Sequence, residues 1–273
     1  MHLDAPRKCL DSARLSDTAR AKMNVIGVVS MKGGVGKTTL TANLAAAFDR
    51  RGHRVAVVDM DPQNGLAWHF ADDNRNLPGI IQSALQGKGI GEGWAVPHTG
   101  IRIFPYGRSE EHERLAFEDL LRSRPQGLAA RVARLSKRFD IVLIDSPPGH
   151  SIYLQQVLQA AHHLLAVLLP DLASLATVND MEEVVAQTQA RRPELRCHYL
   201  INQFEAGDPL AADLVNMLVT RFGSRLLPMM IHRDESVPEA LAVHRVVRSY
   251  APNSQAGRDL DLLTTRLERM FER

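Results

Sequence analysis

The chain has 273 residues, 45% of them hydrophobic, and a formal net charge of +2 at pH 7. A chain of this length buries roughly three quarters of its unfolded surface, so it needs neither disulfides nor a metal to fold. Cys9 and Cys197 show no C-x-x-C spacing, which indicates a reducing cytosol and no cysteine metal site but leaves a disulfide open. The small net charge gives no argument for a nucleic-acid partner, and no apolar run approaches the ~20 residues of a transmembrane helix.

Residues 1–22 mix both charges with few large apolar side chains and lack the apolar core of a signal peptide. We predict a mobile N-terminal extension there, followed by a single domain from 23 to 273. Met23 could itself be a start codon, in which case the extension reflects a translation-start ambiguity. A partner-binding tail is the alternative.

A glycine-rich turn follows the first predicted strand, Val25–Val29. Glycines cannot continue a strand without losing packing, and they let successive backbone N–H groups converge on one point. Lys37 adds a compact positive charge there, and the next helix directs the positive end of its dipole at the same point. Such a site binds phosphate. The predicted phosphate loop comprises Gly33, Gly34, Val35, Gly36, Lys37, Thr38 and Thr39.

Strands and helices alternate along the rest of the chain, without hairpin turns. Apolar runs predict strands at 54–59, 101–106, 139–145, 164–169, 198–202 and 226–231. Helical spacing predicts helices at 38–51, 77–86, 111–122, 126–138, 153–161, 176–190, 209–222 and 259–271. This alternation predicts an α/β fold: one doubly wound, mostly parallel sheet with helices on both faces.

Three aspartates end two of the buried strands. Asp59 and Asp61 follow the apolar residues of strand 54–59, and Asp145 ends strand 139–145. In open α/β sheets, ligands bind at the carboxyl edge of the strands, where these carboxylates meet Lys37. A turn-forming aspartate before Pro62 is the alternative for Asp61.

The block KGGVGKTT resembles the deviant Walker A loop of the ParA/MinD ATPases, with Met31 where the strict P-loop pattern has glycine. This resemblance implies binding of ATP and Mg²⁺ and slow, dimer-dependent hydrolysis. Thr38, Asp59 and Asp145 would be the metal ligands, and Asp61 would orient the attacking water. Asn202 and Gln203 would read the adenine, and residues from Pro228 to Arg233 would wall it.

Lys32 precedes the glycines and matches the signature lysine of these ATPases. Because Lys37 already occupies the loop interior, Lys32 is expected to point out of its own site, where a cation without a partner gains little. A facing triphosphate would supply that partner. The resemblance therefore implies an ATP-dependent homodimer in which Lys32 of each chain reaches the phosphates of the other.

The segments DMDPQNGLAWHF, IDSPPGHSIYLQQVL, YLINQF, IHRDESVPEAL and SYAPNSQAGRDL resemble the BcsQ branch of these ATPases. This branch is associated with bacterial cellulose synthase. The resemblance implies a cytosolic ATPase that supports assembly or polar placement of the cellulose secretion machinery, through synthase-associated proteins at the inner membrane. It does not imply direct membrane insertion.

Two other functions are open at the level of sequence. DNA partitioning, as in ParA, would need exposed cations on one face, for which Arg191, Arg192 and Arg196, or Arg221 and Arg225, are the local candidates. A MinD-like membrane cycle would use the last helix, 259–271, whose apolar stripe is more typical of core contact.

Overall fold

The computed structural model describes residues 23–71 and 79–271, so the predicted extension 1–22 lies outside the described residues and stays a prediction. The strands are β1 Asn24–Val29, β2 Val55–Asp59, β3 Trp94–Ala95, β4 Ile101–Phe104, β5 Ile141–Asp145, β6 His163–Leu168, β7 Arg196–Phe204 and β8 Leu226–His232. The helices are α1 Lys37–Arg50, α2 Ile80–Leu85, α3 Glu111–Ser123, α4 Gly127–Ala133, α5 Ile152–Ala160, α6 Leu172–Ala176, α7 Val178–Gln189, α8 Pro209–Phe222, α9 Ser236–Ala242, α10 Val247–Tyr250 and α11 Gln255–Phe271.

One sheet carries all these strands, in the order β3-β4-β2-β5-β1-β6-β7-β8. Every pair is parallel except β3 with β4, which is antiparallel. Side chains on the two faces belong to two separate apolar clusters, one packed against α1 and α11 and the other against α3, α4, α5 and α7. The predicted doubly wound α/β fold is confirmed.

Several boundaries differ from the predicted ones. The predicted helix 126–138 ends at Ala133 and continues as a 3-10 turn. The predicted helix 176–190 corresponds to α7, and a short helix that was not predicted, α6, precedes it. α11 begins at Gln255 rather than at 259, because the Ser254 hydroxyl and the Asp234 carboxylate accept its first N–H groups. The predicted start of helix 77–86 lies outside the described residues.

The apolar stripe of α11 faces the core. Leu260, Leu263 and Leu267 are 6%, 0% and 1% exposed and belong to the cluster around α1. The interpretation of this stripe as a core contact is therefore confirmed for these leucines. In residues 23–71 and 79–271, no helix is long and apolar enough to cross a membrane.

Two histidines are stacked at the amino edge of the sheet, on β6 and β7. The ring centroids of His163 and His198 are 6.0 Å apart, and the Phe271 ring lies 5.3 Å from that of His163. Burial, together with the charges of neighbouring basic groups, lowers the pKa of each imidazole from 6.5 to about 4. The fold therefore keeps both rings neutral.

We expect this pair to make the protein sensitive to mild acid. The His163 imidazole takes up a proton near pH 6.5 in the unfolded chain but only near pH 4 in the folded chain. The free energy of unfolding is therefore highest above pH 6.5 and decreases as the pH falls towards 4. The unfolding free energy of the wild type should fall between about pH 7 and 5, and His163→Leu should make that fall smaller by on the order of 2 kcal/mol. Urea unfolding at both pH values measures this. His112→Leu, at a side chain 77% exposed, is the control and should leave the decrease unchanged.

Candidate nucleotide-binding site

The loop between β1 and α1 takes the form expected of a phosphate cradle. Gly34 and Gly36 have φ angles of 75° and 87°, in the left-handed region that glycine adopts without strain. The Asn202 amide donates a hydrogen bond of 2.7 Å to the Val35 carbonyl, and a Cβ on Gly36 would lie 2.6 Å from that amide nitrogen. β7 thus supports the loop from the side.

Lys37 lies inside this loop. Its side chain is buried, and Nζ donates to the Ser30 hydroxyl at 3.0 Å. Burial lowers the pKa of the ammonium, although the charges of Asp145 and Asp61 oppose this shift. A desolvated cation whose hydrogen-bond partner is neutral is suited to bind an anion such as phosphate.

Asp59 and Asp145 are buried side by side. They occupy paired positions on β2 and β5, and both are 0% exposed. Burial raises the pKa of each carboxyl, and the charge of Asp145 raises that of Asp59 further. The Thr38 hydroxyl donates to Asp145 Oδ2 at 2.6 Å, and the Thr41 hydroxyl lies 3.5 Å from Oδ1.

This donor set is suited to Mg²⁺. The ion is usually held by one or two carboxylates, a hydroxyl, phosphate oxygens and waters, and a divalent charge would offset the cost of burying two carboxylates together. Within residues 23–71 and 79–271, no three His, Cys, Asp or Glu side chains cluster as a metal site. Thr38, Asp145 and Asp59 lie together as the predicted protein groups of the candidate site, and their role as metal ligands stays a prediction.

Asp59 also holds the segment that follows β2. Its two carboxylate oxygens accept hydrogen bonds from the backbone N–H groups of Asp61, at 2.9 Å, and Leu66, at 3.3 Å. Asp61 in turn accepts from the N–H of Gln63 at 2.9 Å, so the turn-forming role considered for Asp61 is present. That contact involves one carboxylate oxygen, and the catalytic role of Asp61 stays a prediction.

Lys32 has a partner within its own chain, which corrects the expectation that it would have none. Its Nζ lies 2.5 Å from Oδ2 of Asp171, whose other carboxylate oxygen accepts from the N–H of Ser174 and caps α6. Sequence reasoning did not identify Asp171. The sequence shows that Asp171 can cap a helix, but it does not show that Asp171 lies next to Lys32, which is 139 positions away.

A cavity of about 410 Å³ adjoins the loop. It brings together the predicted residues Gly36, Thr39, Asn202, Gln203 and Arg233. Ile231 and His232, from the predicted wall segment Pro228–Arg233, line it as well. Its other lining residues come mainly from α9, α10 and α11 and carry no sequence signal for a nucleotide site: Leu40, Asn43, Asp234, Glu235, Val237, Pro238, Leu241, Val247, Ala256 and Leu260.

Pro228 does not line this cavity, contrary to prediction. It is exposed and is the third residue of the seven-residue strand β8, so it lies toward the amino end of that strand. The cavity meets β8 at Ile231 and His232, at the carboxyl end, as the direction of a parallel strand requires.

The arginine sets considered for DNA binding are largely engaged within the chain. Arg221 and Arg225 each pair with Glu182 at 2.6 Å. Arg192 pairs with Glu194 at 2.9 Å and donates to two backbone carbonyls. The structure therefore adds no support for a DNA-binding face at these positions.

Comparison with known proteins identifies the family. The family described as "Cellulose biosynthesis protein BcsQ" matches residues 23–267. The chain belongs to the BcsQ family. The protein of that name from Escherichia coli K12 is 30% identical over 242 residues, which cover 87% of this chain and 91% of that protein.

Solved structures confirm the ATPase fold. The cell division ATPase MinD of Pyrococcus furiosus matches with a TM-score of 0.70 and 24% identity, covering 90% of this chain and 99% of that one. Cobyrinic acid a,c-diamide synthase from Mycobacterium smegmatis, solved with a bound ATP analogue and magnesium, gives 0.74 and 24%, covering 92% and 96%. This BcsQ family member therefore has a ParA/MinD-type P-loop fold.

The contact between the loop and β7 can be tested with a matched pair of variants. Gly36→Ala and Gly34→Ala both place a side chain at positive φ, but only the former meets Asn202. We expect Gly34→Ala to lower the unfolding free energy by about 1 kcal/mol, and Gly36→Ala by about 1 kcal/mol more, because the amide of Asn202 must give up its hydrogen bond. Urea unfolding measures both. Equal losses would show that Asn202 moves aside without cost.

Proposed function

We propose that this BcsQ family protein binds and slowly hydrolyses ATP with Mg²⁺ in a nucleotide-sandwich homodimer. In this role it supports the assembly or localisation of the bacterial cellulose synthase complex. The observation that carries the proposal is the convergence, at one edge of the sheet, of the buried Lys37 ammonium, the Thr38 hydroxyl and the Asp59–Asp145 pair. The cavity beside the loop supplies room for a base and a sugar.

Each part of the nucleotide would meet a different group. Residues 33–39 would hold the phosphates through backbone N–H groups and Lys37. The metal would neutralise phosphate charge, with Thr38 and Asp145 as its nearest protein groups and Asp59 behind them. Asn202, Gln203 and Arg233 would surround the base. Asn202 gives one amide hydrogen to Val35, and no other side-chain hydrogen bond of this amide occurs within the described part of the chain, so its oxygen and second hydrogen could bind a ligand.

Asp61 would act in hydrolysis rather than in binding. It follows β2 on a segment held by Asp59 and is half-buried. Its carboxylate can accept a hydrogen bond from a water molecule beside the terminal phosphate and so orient that water for attack. The bond to the Gln63 N–H leaves its second carboxylate oxygen for this role.

Lys32 would exchange partners when the dimer closes. Its ion pair with Asp171 joins side chains that are 29% and 39% exposed, and pairs of that kind contribute only ~0–1 kcal/mol. A triphosphate in a site shielded from water offers more charge and a lower dielectric. The two-fold arrangement would supply one such lysine to each nucleotide.

The cellulose connection rests on family membership. The relatives carry the description "cellulose biosynthesis protein", and we infer that this chain acts with synthase-associated proteins at the inner membrane. The proposal includes neither nucleic-acid binding nor direct membrane insertion. It treats residues 23–273 as one ATPase domain, of which the family match covers 23–267.

Two variants separate binding from hydrolysis. Lys37→Ala should weaken ATP affinity by ~100-fold or more, because it removes the cation inside the loop. Asp61→Ala should bind ATP as the wild type does but hydrolyse it ~100-fold more slowly. Calorimetry and phosphate release measure the two effects.

An unchanged affinity in Lys37→Ala would remove the central claim. Loss of ATP binding by a folded Asp61→Ala protein would make Asp61 a binding residue instead. Cells that produce only the Lys37→Ala protein should secrete less cellulose, and normal secretion would contradict the cellular role.

Dimerisation is tested by light scattering in the apo, ADP and ATP states. The wild type should double its mass only with ATP. Lys32→Ala should remain monomeric and hydrolyse ATP ~100-fold or more slowly while retaining nucleotide affinity through Lys37. Lys88→Ala, an exposed lysine after α2, is the control. A wild-type mass that is the same in all three states, or a Lys32→Ala protein that dimerises normally, would contradict the nucleotide-sandwich dimer.

A further inference from the structure

A row of cations runs from the end of α3, through α4, to the turn that follows it. Residues 124–138 contain five cationic side chains and no carboxylate. Leu128, Val132 and Leu135 of this segment are buried in the core, so the opposite face of the segment is turned to solvent. The arginine row comprises Arg124, Arg131, Arg134, Lys137 and Arg138, of which Arg131 is half-buried and the others are exposed.

The side chains of the arginine row have no carboxylate partner in the part of the chain that the structure describes. On the preceding helix, by contrast, Arg114 and Arg122 pair with Glu118 at 2.7 and 3.2 Å. The pKa of Arg131 is lowered, first by burial and then by the charges of Arg124 and Arg134. Mutual repulsion within the row is therefore uncompensated, and a negatively charged partner would relieve it.

An open apolar groove adjoins the row. It lies between α2 and α3, has a volume of about 520 Å³, and is lined by Ala84, Leu85 and Leu120, with Arg124 at the same groove. Leu85 is 39% exposed at the end of α2. Asp119, at the rim of the groove, is already paired with Arg122 at 2.7 Å, so its negative charge does not offset the positive charge of the arginine row.

The loop after α2 brings the groove and the row together. A Cβ on Gly89 would lie 3.7 Å from Nη1 of Arg134, so this loop abuts the row directly. An extended peptide could therefore place one side chain in the groove and its neighbours on the arginines. Arginine binds carboxylates through two parallel hydrogen bonds, which makes such a contact specific as well as attractive.

We propose that the groove and the arginine row together dock an acidic segment of a partner protein. The segment would carry several Asp or Glu side chains for the row and at least one leucine-sized side chain for the groove. This surface is separate from the nucleotide site, since the loop and its carboxylates lie at the carboxyl edge of the sheet, whereas Arg138 directly precedes Phe139 and the amino end of β5.

Two features favour a protein over a membrane or a nucleic acid. In the two-fold dimer proposed above, the carboxyl edges face each other, so the two rows would lie on distant parts of the assembly. A flat membrane would then reach one row at a time, whereas each protomer could hold its own acidic segment. The apolar groove, moreover, offers nothing to a phosphate backbone but fits a leucine side chain.

The test uses a fluorescein-labelled peptide, Glu-Glu-Leu-Glu-Glu-Leu-Leu-Glu, and a second peptide with serine in place of each leucine. Anisotropy at low and at physiological salt measures binding to the full chain. The double variant Arg124→Glu/Arg134→Glu should weaken binding of the first peptide by about tenfold or more. The control Arg191→Glu/Arg196→Glu makes the same charge change at two other exposed arginines and should have little effect. Leu85→Ser should remove the preference for the leucine peptide.

Equal weakening by the row variant and the control would overturn the proposal, because it would show only a response to net charge. The proposal would also be overturned if the wild-type protein does not bind the peptide but binds duplex DNA or phosphatidylglycerol vesicles through the arginine row. The row variant should keep wild-type ATP affinity in calorimetry. That measurement distinguishes failure of this docking surface from failure of the proposed ATPase function.

Discussion

The structure depends on the burial of two carboxylates, Asp59 and Asp145, next to each other at the end of paired strands. Without a cation this arrangement is costly, and the raised pKa of both groups expresses that cost. Two neighbouring parts of the site are bonded to this pair. Thr38 donates to one carboxylate, while the other holds the N–H groups of the segment carrying Asp61. A change in charge at the pair would therefore alter hydrogen bonds of both the phosphate loop and that segment.

The cavity beside the loop is built differently, from chain that returns after β8. The His232 N–H and imidazole both bind the Asp259 carboxylate on α11, and the Val247 N–H donates to Asn43 on α1. These bonds attach the returning segment to the two helices that cover the same face of the sheet. The wall of the cavity is thus supported by the core of the domain, and not by the phosphate loop alone.

Charge pairing explains which cations are available to other molecules. Arg221 and Arg225 are held by Glu182, and Lys32 by Asp171. The pair at Lys32 is partly exposed and weak enough to exchange, whereas the arginine row has no carboxylate partner among the described residues. A protein with a net charge of only +2 can therefore present one concentrated positive surface.

The sequence by itself determined the parts of this protein that short-range chemistry decides. The glycine loop, the buried strands and the aspartates at their ends follow from local spacing and from the direction of parallel strands. Only the tertiary structure decided which distant residues meet. The pairing of Lys32 with Asp171, the exclusion of Pro228 from the cavity and the role of α9 and α11 in its wall depend on how the later elements pack across the sheet. Periodicity shows which face of an element is buried, but not which neighbour covers it.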